Sequence, residues 1–228
     1  MTTPLRILSG GAAQGLVQRL GDGFAVQGSF GAVGAMRDKL LAGEPCDLLI
    51  LTQALVDELL AQGHLRAGSA VPLGRVRTGI AVKAGAAVPQ VTDADSLAAL
   101  LRSASGIYCP DTVKATAGIH FLKVLRSLGL EAPLAGRLRT FANGTTAMRE
   151  MAASPDADVV GCTQVTEILF TPGVVLAASL PPGFELTTVY TAAVCSGAAE
   201  PEGAARLISR LAGADAAAVR SQLGFDPL

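Results

Sequence analysis

An α/β fold, with mixed sheets and helices on both of their faces, is predicted by three features of the 228-residue sequence. Short apolar runs alternate with segments of helical periodicity along most of the chain, which is the order found in βαβ units. Half of the residues are hydrophobic, 4% are aromatic and none is Trp, so we expect a core of Ala, Val and Leu. No run of about 18 consecutive apolar residues occurs, so no transmembrane helix is expected.

Three strand–helix pairs come first along the chain. They are LRIL before AAQGLVQRL, FAVQGSF before AVGAMRDKLLAG, and CDLLIL before QALVDELLAQG. In each pair a short apolar run precedes apolar residues at helical spacing. RTGIAVKAG then predicts another strand, and DADSLAALLRSA predicts a helix whose aspartates favour its start.

A second series of pairs follows. It consists of GIYC before TAGIHFLKVLRSLG, RLRTF before NGTTAMREMAAS, and ADVVGC before QVTEILF. In the first of these helices Ile119, Leu122, Leu125 and Leu128 share one face, and Gly129 is expected to end it. The chain closes with GVVLAASL, FELTTVYTAAVC and two Ala-rich helical segments.

The long strands RTGIAVKAG and FELTTVYTAAV suggest a division into two lobes. If both strands cross between lobes, residues 83–186 form an inserted second lobe. Residues 1–82 and 187–228 then form the first lobe, which contains both termini.

Composition narrows the possible partners. A formal net charge of −1 gives no electrostatic reason to expect nucleic acid or insertion at an anionic membrane. The four cysteines Cys46, Cys109, Cys162 and Cys195 are widely separated, so we expect reduced, buried thiols, no metal and no cofactor. Met1 lies close to the first strand without a basic or long apolar segment between them. A cytoplasmic location is therefore expected, or a periplasmic one if the chain was trimmed.

Four strand-to-helix turns share a composition of small and hydroxyl residues: SGGAAQG, SFGAVGA, KATAGIH and ANGTTAM. Ligands of open α/β sheets bind beyond the carboxyl ends of the strands, where helices begin. A helix start offers unpaired N–H groups and a partial positive charge. Ordinary helix capping also explains any single turn of this kind, but four of them favour an anion site made of backbone.

The chain resembles the molybdate-binding members of the type II periplasmic binding proteins, the receptors of ABC importers. The segments that carry the resemblance are SFGAVGAMRDKLLAGEPCDLLILTQALVDELLAQG, DTVKATAGIHFLKVLRSLGL and LAGADAAAVRSQLGF. The resemblance implies a two-lobed fold with two crossing strands as the hinge and an anion enclosed between the lobes.

The resemblance also implies a set of ligand-binding positions. A serine of the first turn corresponds to Ser9, a serine of the second turn falls where Ala32 and Val33 offer only backbone, and a tyrosine falls near Thr163. Because a hydroxyl and a tyrosine are missing, we expect an altered ligand choice. The predicted ligand-binding residues are Ser9, Gly10, Gly31, Ala32, Val33, Thr116, Ala117, Asn143, Gly144, Thr145 and Thr163, together with Arg75 and Arg77.

Charged side chains near these turns allow a second interpretation. Arg75 and Arg77 alternate along a strand and share a face, where they suit a carboxylate or are simply a solvated edge. Lys114 and His120 flank the TAG turn, and a histidine there is either a ligand group or an ordinary packed or exposed side chain. Glu167 is expected to be a carboxylate on a helix surface.

Two main functions remain open on this basis. The first is a substrate-binding protein for a small oxyanion or carboxylate, with an ABC permease as partner if the chain is exported. The second is a cytosolic isomerase of an unsaturated polycarboxylate, because aconitate isomerase shares the resemblance; His120 is then the predicted catalytic base. A sensor that has lost its transporter is a third interpretation.

Overall fold

A computed structural model describes residues 3–228, which group into two compact units. Unit 1 contains the chain up to Val76 together with Thr188–Leu228, and unit 2 is Arg77–Thr187. The chain leaves unit 1 within one strand, Val71–Lys83, and returns to it within another, Thr187–Val194. The sequence-based lobe boundaries stay a prediction.

Unit 1 is built on a sheet whose strands lie in the order β2 (Val26–Gly31), β1 (Leu5–Gly10), β3 (Leu48–Thr52) and β9 (Thr187–Val194). β1 is parallel to β2 and to β3, whereas β9 is antiparallel to β3. The elements are β1 (Leu5–Gly10), α1 (Gln14–Leu20), β2 (Val26–Gly31), α2 (Val33–Leu41), β3 (Leu48–Thr52), α3 (Gln53–Ala61), the first part of β4 (Val71–Lys83), β9 (Thr187–Val194), α9 (Pro201–Ala212) and α10 (Ala217–Gln222). A 3-10 turn, Gly11–Ala13, replaces the expected first residues of α1.

Buried Asp47 joins three parts of unit 1. Its carboxylate accepts hydrogen bonds from the backbone and guanidinium of Arg6, and from the backbone N–H groups of Ala199 and Glu200 just before α9. Desolvation alone would raise the pKa of Asp47, but these donors outweigh it and hold the pKa below 3.8. An ionised carboxylate therefore anchors the α9 connection to β1 and β3.

Unit 2 contains a second sheet whose strands lie in the order β8 (Val174–Ser179), β4, β7 (Val159–Gln164), β5 (Gly106–Pro110) and β6 (Leu138–Phe141). β7, β5 and β6 are parallel, and β4 is antiparallel to both β7 and β8. Its remaining elements are α4 (Ala94–Ser103), β5 (Gly106–Pro110), α5 (Thr116–Ser127), α6 (Glu131–Leu134), β6 (Leu138–Phe141), α7 (Gly144–Ala153), β7 (Val159–Gln164), α8 (Val165–Phe170) and β8 (Val174–Ser179).

The two faces of β7 pack on two separate apolar clusters. Val160 and Cys162 belong to the cluster that contains Phe121 of α5. Val159 belongs to the cluster that contains Met148 of α7, and Gly161 lies against the same methionine. Since side chains alternate along a strand, Thr163 extends the α7 face of β7 and Gln164 extends the α5 face.

Several predicted details are confirmed. The strand–helix alternation is the observed one, and the fold is of the expected mixed α/β type. Gly129 ends α5 with φ +66°, while the N–H groups of Gly129 and Leu130 bond back to Arg126 and Leu125 in a Schellman motif. All four cysteines are buried and free.

Among residues 3–228, none of the helices has the length and apolarity needed to span a bilayer.

Candidate functional site

Three helical segments begin at one edge of the unit 1 sheet. β1, β2 and β3 are parallel, so their carboxyl ends lie at the same edge, and each is followed directly by a helical turn. No side chain caps the start of the Gly11–Ala13 turn, of α2 at Ala32, or of α3 at Thr52. The first N–H groups of these segments are therefore free of the internal acceptor that a capping side chain supplies.

Small residues let these starts approach one another closely. A Cβ atom placed on Gly10 would lie 2.8 Å from Cγ1 of Val33 and 3.0 Å from Cε1 of Tyr190. A Cβ on Gly31 would lie 2.8 Å from Cε of Met36. Unit 1 thus brings the predicted residues Gly10 and Val33 together. Ser9 is fully buried, and its hydroxyl donates to the carbonyl of Gly10 at 2.9 Å.

Polar groups of β9 and α3 lie at the same edge and were not predicted. Tyr190 is opposite Thr52 in the antiparallel β3–β9 pair, and both are buried. Beside them, the hydroxyl of Thr191 donates to Oε1 of Gln53 at 2.5 Å. Only the pairing of β9 with β3 places Tyr190 next to Gly10, and the spacing of the residues along the sequence does not reveal it.

The two predicted arginines fall in different units. Arg75 and Arg77 are both exposed and share a face of β4, as expected, but the division of the chain lies between them. Nε of Arg75 donates to the carbonyl of Pro227 at 2.7 Å, and Nη1 of Arg77 donates to the hydroxyl of Ser179 at 3.1 Å. A carboxylate-binding role for the pair stays a prediction.

The unit 2 sheet also has three helices beginning at the carboxyl ends of parallel strands. α5 follows β5, and its N-cap residue, Ala115, provides no side-chain cap, so the predicted residues Thr116 and Ala117 supply its first backbone N–H groups. A Cβ on Gly118 would lie 2.3 Å from the carbonyl oxygen of Asp111, so the start of α5 rests tightly on the preceding turn. Asn143, by contrast, is a cap of α7, with Oδ1 accepting from Thr146 N–H at 2.8 Å.

Glu167 belongs to α8, and its carboxylate lies against the first residue of α7. The side chain is buried, so the expectation of a surface carboxylate was wrong. Its carboxylate accepts from the hydroxyl of Thr163 at 2.5 Å and from the backbone N–H groups of Gln164, Gly144 and Thr145. Burial raises the pKa of Glu167 above 4.5 even though all four donors act in the opposite direction. Three residues predicted to bind a ligand are thus brought together around an internal carboxylate, and their ligand contacts stay a prediction.

Gly144 is required for this arrangement. A Cβ atom at this position would lie 2.0 Å from both Oε2 of Glu167 and Oγ1 of Thr163. These separations are far inside van der Waals contact, so any larger residue would displace the carboxylate from the backbone donors.

Several buried polar atoms of unit 2 have no hydrogen-bond partner within the described part of the chain. These atoms are Oγ1 of Thr78, Oγ1 of Thr145, Oγ1 of Thr166 and both amide atoms of Gln164. Thr78 and Gln164 face each other in the β4–β7 pair, while Thr145 and Thr166 are adjacent in sequence to Gly144 and Glu167. An unpaired buried polar group costs about 1–3 kcal/mol, so a ligand or water that bonds to these atoms would be favoured.

His120 is half-buried on α5, and its Nε2 lies 2.7 Å from the carbonyl oxygen of Phe184. Because a carbonyl only accepts, Nε2 carries the proton, and Nδ1 is the ring atom that can accept one. No group of three His, Cys, Asp or Glu side chains within residues 3–228 is arranged to hold a metal ion.

Comparisons with known proteins agree with this architecture. Residues 12–226 match the family described as bacterial extracellular solute-binding protein. An aconitate isomerase from Pseudomonas is 25% identical over 99% of this chain and 88% of its own length.

Two solved structures share the fold. The periplasmic molybdate-binding protein of Azotobacter vinelandii superposes with a TM-score of 0.81 at 19% identity, covering 98% of this chain and 99% of its own. The sulfate-binding protein of Mycobacterium tuberculosis superposes with a TM-score of 0.73 at 16% identity, covering 100% and 88%. The family match extends over nearly the whole chain, and the chain belongs to the bacterial extracellular solute-binding proteins.

Proposed function

We propose that this chain binds a small anion, an oxyanion or a carboxylate, chiefly through backbone N–H groups at the starts of its helices. The observation that carries the proposal is the unit 1 edge, where the Gly11–Ala13 turn, α2 and α3 all begin without a side-chain cap. Such starts combine unpaired donors with a partial positive charge, and an anion satisfies both.

Family membership and the relatives support an anionic ligand. The family is described as solute-binding, and two structural relatives are named for molybdate and sulfate. In this chain the absence of a net positive charge also favours backbone recognition over a cluster of basic side chains. Enclosure of the anion between two lobes, with Ala117 and Thr145 as further backbone contacts, stays a prediction.

The same membership bears on location and partner. A family described as extracellular favours a site of action outside the cytoplasm over the cytosolic one expected from the residues after Met1. An ABC permease is then the natural recipient of the ligand.

Removing a single backbone donor tests the proposal. Val33 is the first residue of α2, a position where Pro is well tolerated, and Ala32 before it already has the extended conformation (φ −60°, ψ 136°) that Pro requires. Val33→Pro therefore deletes an N–H group and leaves the helix intact. Val33→Ala is the matched control, because it removes the same side chain and keeps the N–H.

Thermal shift and calorimetry with molybdate, tungstate, sulfate and polycarboxylates would identify the ligand, since a ligand of the folded state raises its stability. We expect Val33→Pro to lower the affinity for the anion about 10- to 100-fold, which is the effect of losing one hydrogen bond to a charged group. Val33→Ala should lower the affinity much less. Equal affinities for the two variants would contradict backbone recognition at α2.

A second candidate function is isomerisation of an unsaturated polycarboxylate, favoured by the 25% identity to aconitate isomerase along nearly the whole chain. A base would take a proton from the methylene carbon beside a carboxylate, the double bond would shift by one position, and a proton would return to the former vinyl carbon. Nδ1 of His120 and the buried carboxylate of Glu167 are two candidate groups of unit 2 for carrying that proton.

Incubation with trans-aconitate in D2O, followed by proton NMR, tests this candidate. Formation of the cis isomer with deuterium on carbon would support it, and an unchanged spectrum would reject it. His120→Ala that abolishes turnover but not binding would identify His120 as the base, whereas unchanged turnover would exclude it.

A further inference from the structure

The four cysteines are far apart in the sequence, but the fold arranges them as two pairs, one in each unit. Cys46 and Cys195 belong to one apolar cluster of unit 1, and Cys109 and Cys162 belong to one apolar cluster of unit 2. All four are thiols in the structure. A pair of neighbouring thiols can form a disulfide only where the backbone geometry allows it.

The backbone brings Cys46 and Cys195 within disulfide range. The antiparallel β3–β9 pair includes Leu48 opposite Val194. The N–H of Cys195 extends this ladder by donating to the carbonyl of Asp47 at 3.0 Å. Cys46 is the residue before Asp47, and residues in this diagonal relation have Cα atoms about 6.5 Å apart. Disulfides join residues whose Cα atoms are about 4.4–6.8 Å apart.

The side chains of this pair also meet. Asp47 lies at a bend, and the thiol of Cys46 turns back toward β3, where Sγ donates to the carbonyl of Leu48 at 3.2 Å. The thiol of Cys195 is hydrogen-bonded to that of Cys46, and this contact, with burial and the charge of Asp47, raises the pKa of Cys195. The two sulfur atoms are therefore neighbours before any bond forms between them.

The pair in unit 2 has a less suitable geometry. Cys109 and Cys162 follow Tyr108 and Gly161, which are opposite each other in the parallel strands β5 and β7. Side chains that stand side by side on parallel strands are about 4.8 Å apart, whereas the Cβ atoms of a disulfide are about 3.8 Å apart. Both strands have a neighbour on either side, and both thiols are fully buried, so the sheet resists the shift that would close this gap.

We propose that Cys46 and Cys195 form a disulfide when the chain folds in an oxidising compartment, whereas Cys109 and Cys162 remain thiols. The match to a family described as extracellular favours such a compartment. Two S–H bonds break and one S–S bond forms. With glutathione disulfide as the oxidant, the two electrons and two protons convert that molecule into two glutathione thiols. The inference goes beyond anion binding and does not depend on it.

The bond forms while the chain folds, because the folded pair is closed to oxidants. Cys46 is 4% exposed and Cys195 is 2% exposed, and the raised pKa of Cys195 leaves little of the reactive thiolate. Once formed, the bond fixes the end of β9, the strand by which the chain returns to unit 1, to the residue before Asp47. It therefore reinforces the attachment of Asp47 to the segment before α9.

Refolding in a redox buffer tests the pairing in the unaltered protein. The reduced chain is unfolded in urea, refolded in a glutathione buffer with the disulfide form in excess, quenched with acid and labelled with N-ethylmaleimide in urea. Proteolytic cleavage after Glu167 and Glu185 separates Cys162 from Cys195, so mass spectrometry can assign each cysteine.

We expect a peptide pair that links Cys46 to Cys195 in most molecules, with the label on Cys109 and Cys162. Label on Cys46 and Cys195 in most molecules would overturn the inference. Cross-links distributed among all four cysteines would overturn it as well, because they would show that the fold does not select one pair.

Thermal unfolding of the oxidised protein tests the consequence of the bond. A disulfide that closes a long loop restricts the unfolded chain, so we expect Tm to be about 5–15 °C higher without reductant than with dithiothreitol. Equal Tm values would contradict the reinforcement of unit 1.

Two matched variants assign the difference in Tm to one pair. Cys195→Ser should abolish the difference, whereas Cys162→Ser, the same change at a buried cysteine of the other pair, should keep it. Each variant is compared with itself with and without reductant, so a general loss of stability does not affect the result. A difference that persists in Cys195→Ser would overturn the inference. Peptide mapping of the unaltered protein decides the pairing even if a variant does not fold.

Discussion

Gly144→Ala is the substitution whose effect follows most directly from the geometry of unit 2. The added methyl carbon would lie 2.0 Å from Oε2 of Glu167 and from Oγ1 of Thr163, where van der Waals contact requires more than 3 Å. Glu167 would have to leave the backbone donors of α7 while it remains buried. Ala is otherwise the better helix former, so propensity alone would make this change stabilising.

The expected cost can be assembled from two contributions. Overpacking of a buried site costs about 1–3 kcal/mol. The loss of hydrogen bonds to a charged group adds about 1.5–3 kcal/mol. Because relaxation of the site relieves part of each, we expect the free energy of unfolding to fall by about 3 kcal/mol. That corresponds to a decrease in Tm of about 6–12 °C for a chain of this length.

Urea denaturation followed by circular dichroism measures this change, with Gly136→Ala as the control. Gly136 lies in a 3-10 turn, and a Cβ atom there would meet nothing within 4 Å. The control should therefore be neutral or stabilising by up to about 1 kcal/mol. A Gly144→Ala protein whose unfolding free energy lies within about 0.5 kcal/mol of the control would refute the placement of Glu167 against α7.

Three further predictions follow from the ionisable groups. Asp47→Asn should lower the free energy of unfolding at pH 7 by about 3 kcal/mol in urea denaturation, because hydrogen bonds to a charged group are lost. The pKa of Asp47 lies below 3.8 in the folded state. The stabilisation by its ionised carboxylate should therefore disappear from the unaltered protein as the pH falls through that folded pKa. The pKa of Glu167 lies above 4.5 when folded, so the folded state binds more protons than the unfolded state above pH 4.5. Stability relative to Glu167→Gln should then decrease as the pH rises from 4.5 to the folded pKa, and a flat difference between the two urea series would contradict this. Iodoacetamide at pH 8 should leave all four thiols unmodified until urea is added, because all four are buried. Burial and the charge of Asp111 also raise the pKa of Cys109 to about 12. Alkylation of the folded protein, detected by mass spectrometry, would contradict the burial.

Local patterns were sufficient to predict most of the fold. The central parallel strands are short apolar runs because they are buried on both faces, as in β3, whose five residues are all buried, whereas the edge strands β2 and β6 are partly exposed. Gly129 identified the end of α5 because a Schellman motif needs a residue with positive φ. β4 begins at Val71, earlier than RTGIAVKAG suggested, because its first half contains Pro72 and Gly74, two residue types that are uncommon in strands.

The site was harder to predict, because its contacts join distant parts of the chain. Glu167 has the spacing of an ordinary surface residue in a short helix, and only the packing of α8 against α7 buries it. Tyr190 reaches Gly10 through strand pairing that the sequence does not specify. Backbone N–H donors leave no side-chain pattern in the sequence. The strand-to-helix turns could be predicted from their small residues, but the residues that contact those turns could not.

In the proposed function, backbone amides at helix starts, more than charged side chains, hold the ligand. A two-dimensional ¹⁵N–¹H NMR titration with the anion identified by calorimetry measures those amides individually. We predict the largest saturable shifts at the N–H groups of Gly11 and Val33. Shifts confined to the guanidinium groups of Arg75 and Arg77, with the helix-start amides unmoved, would contradict it.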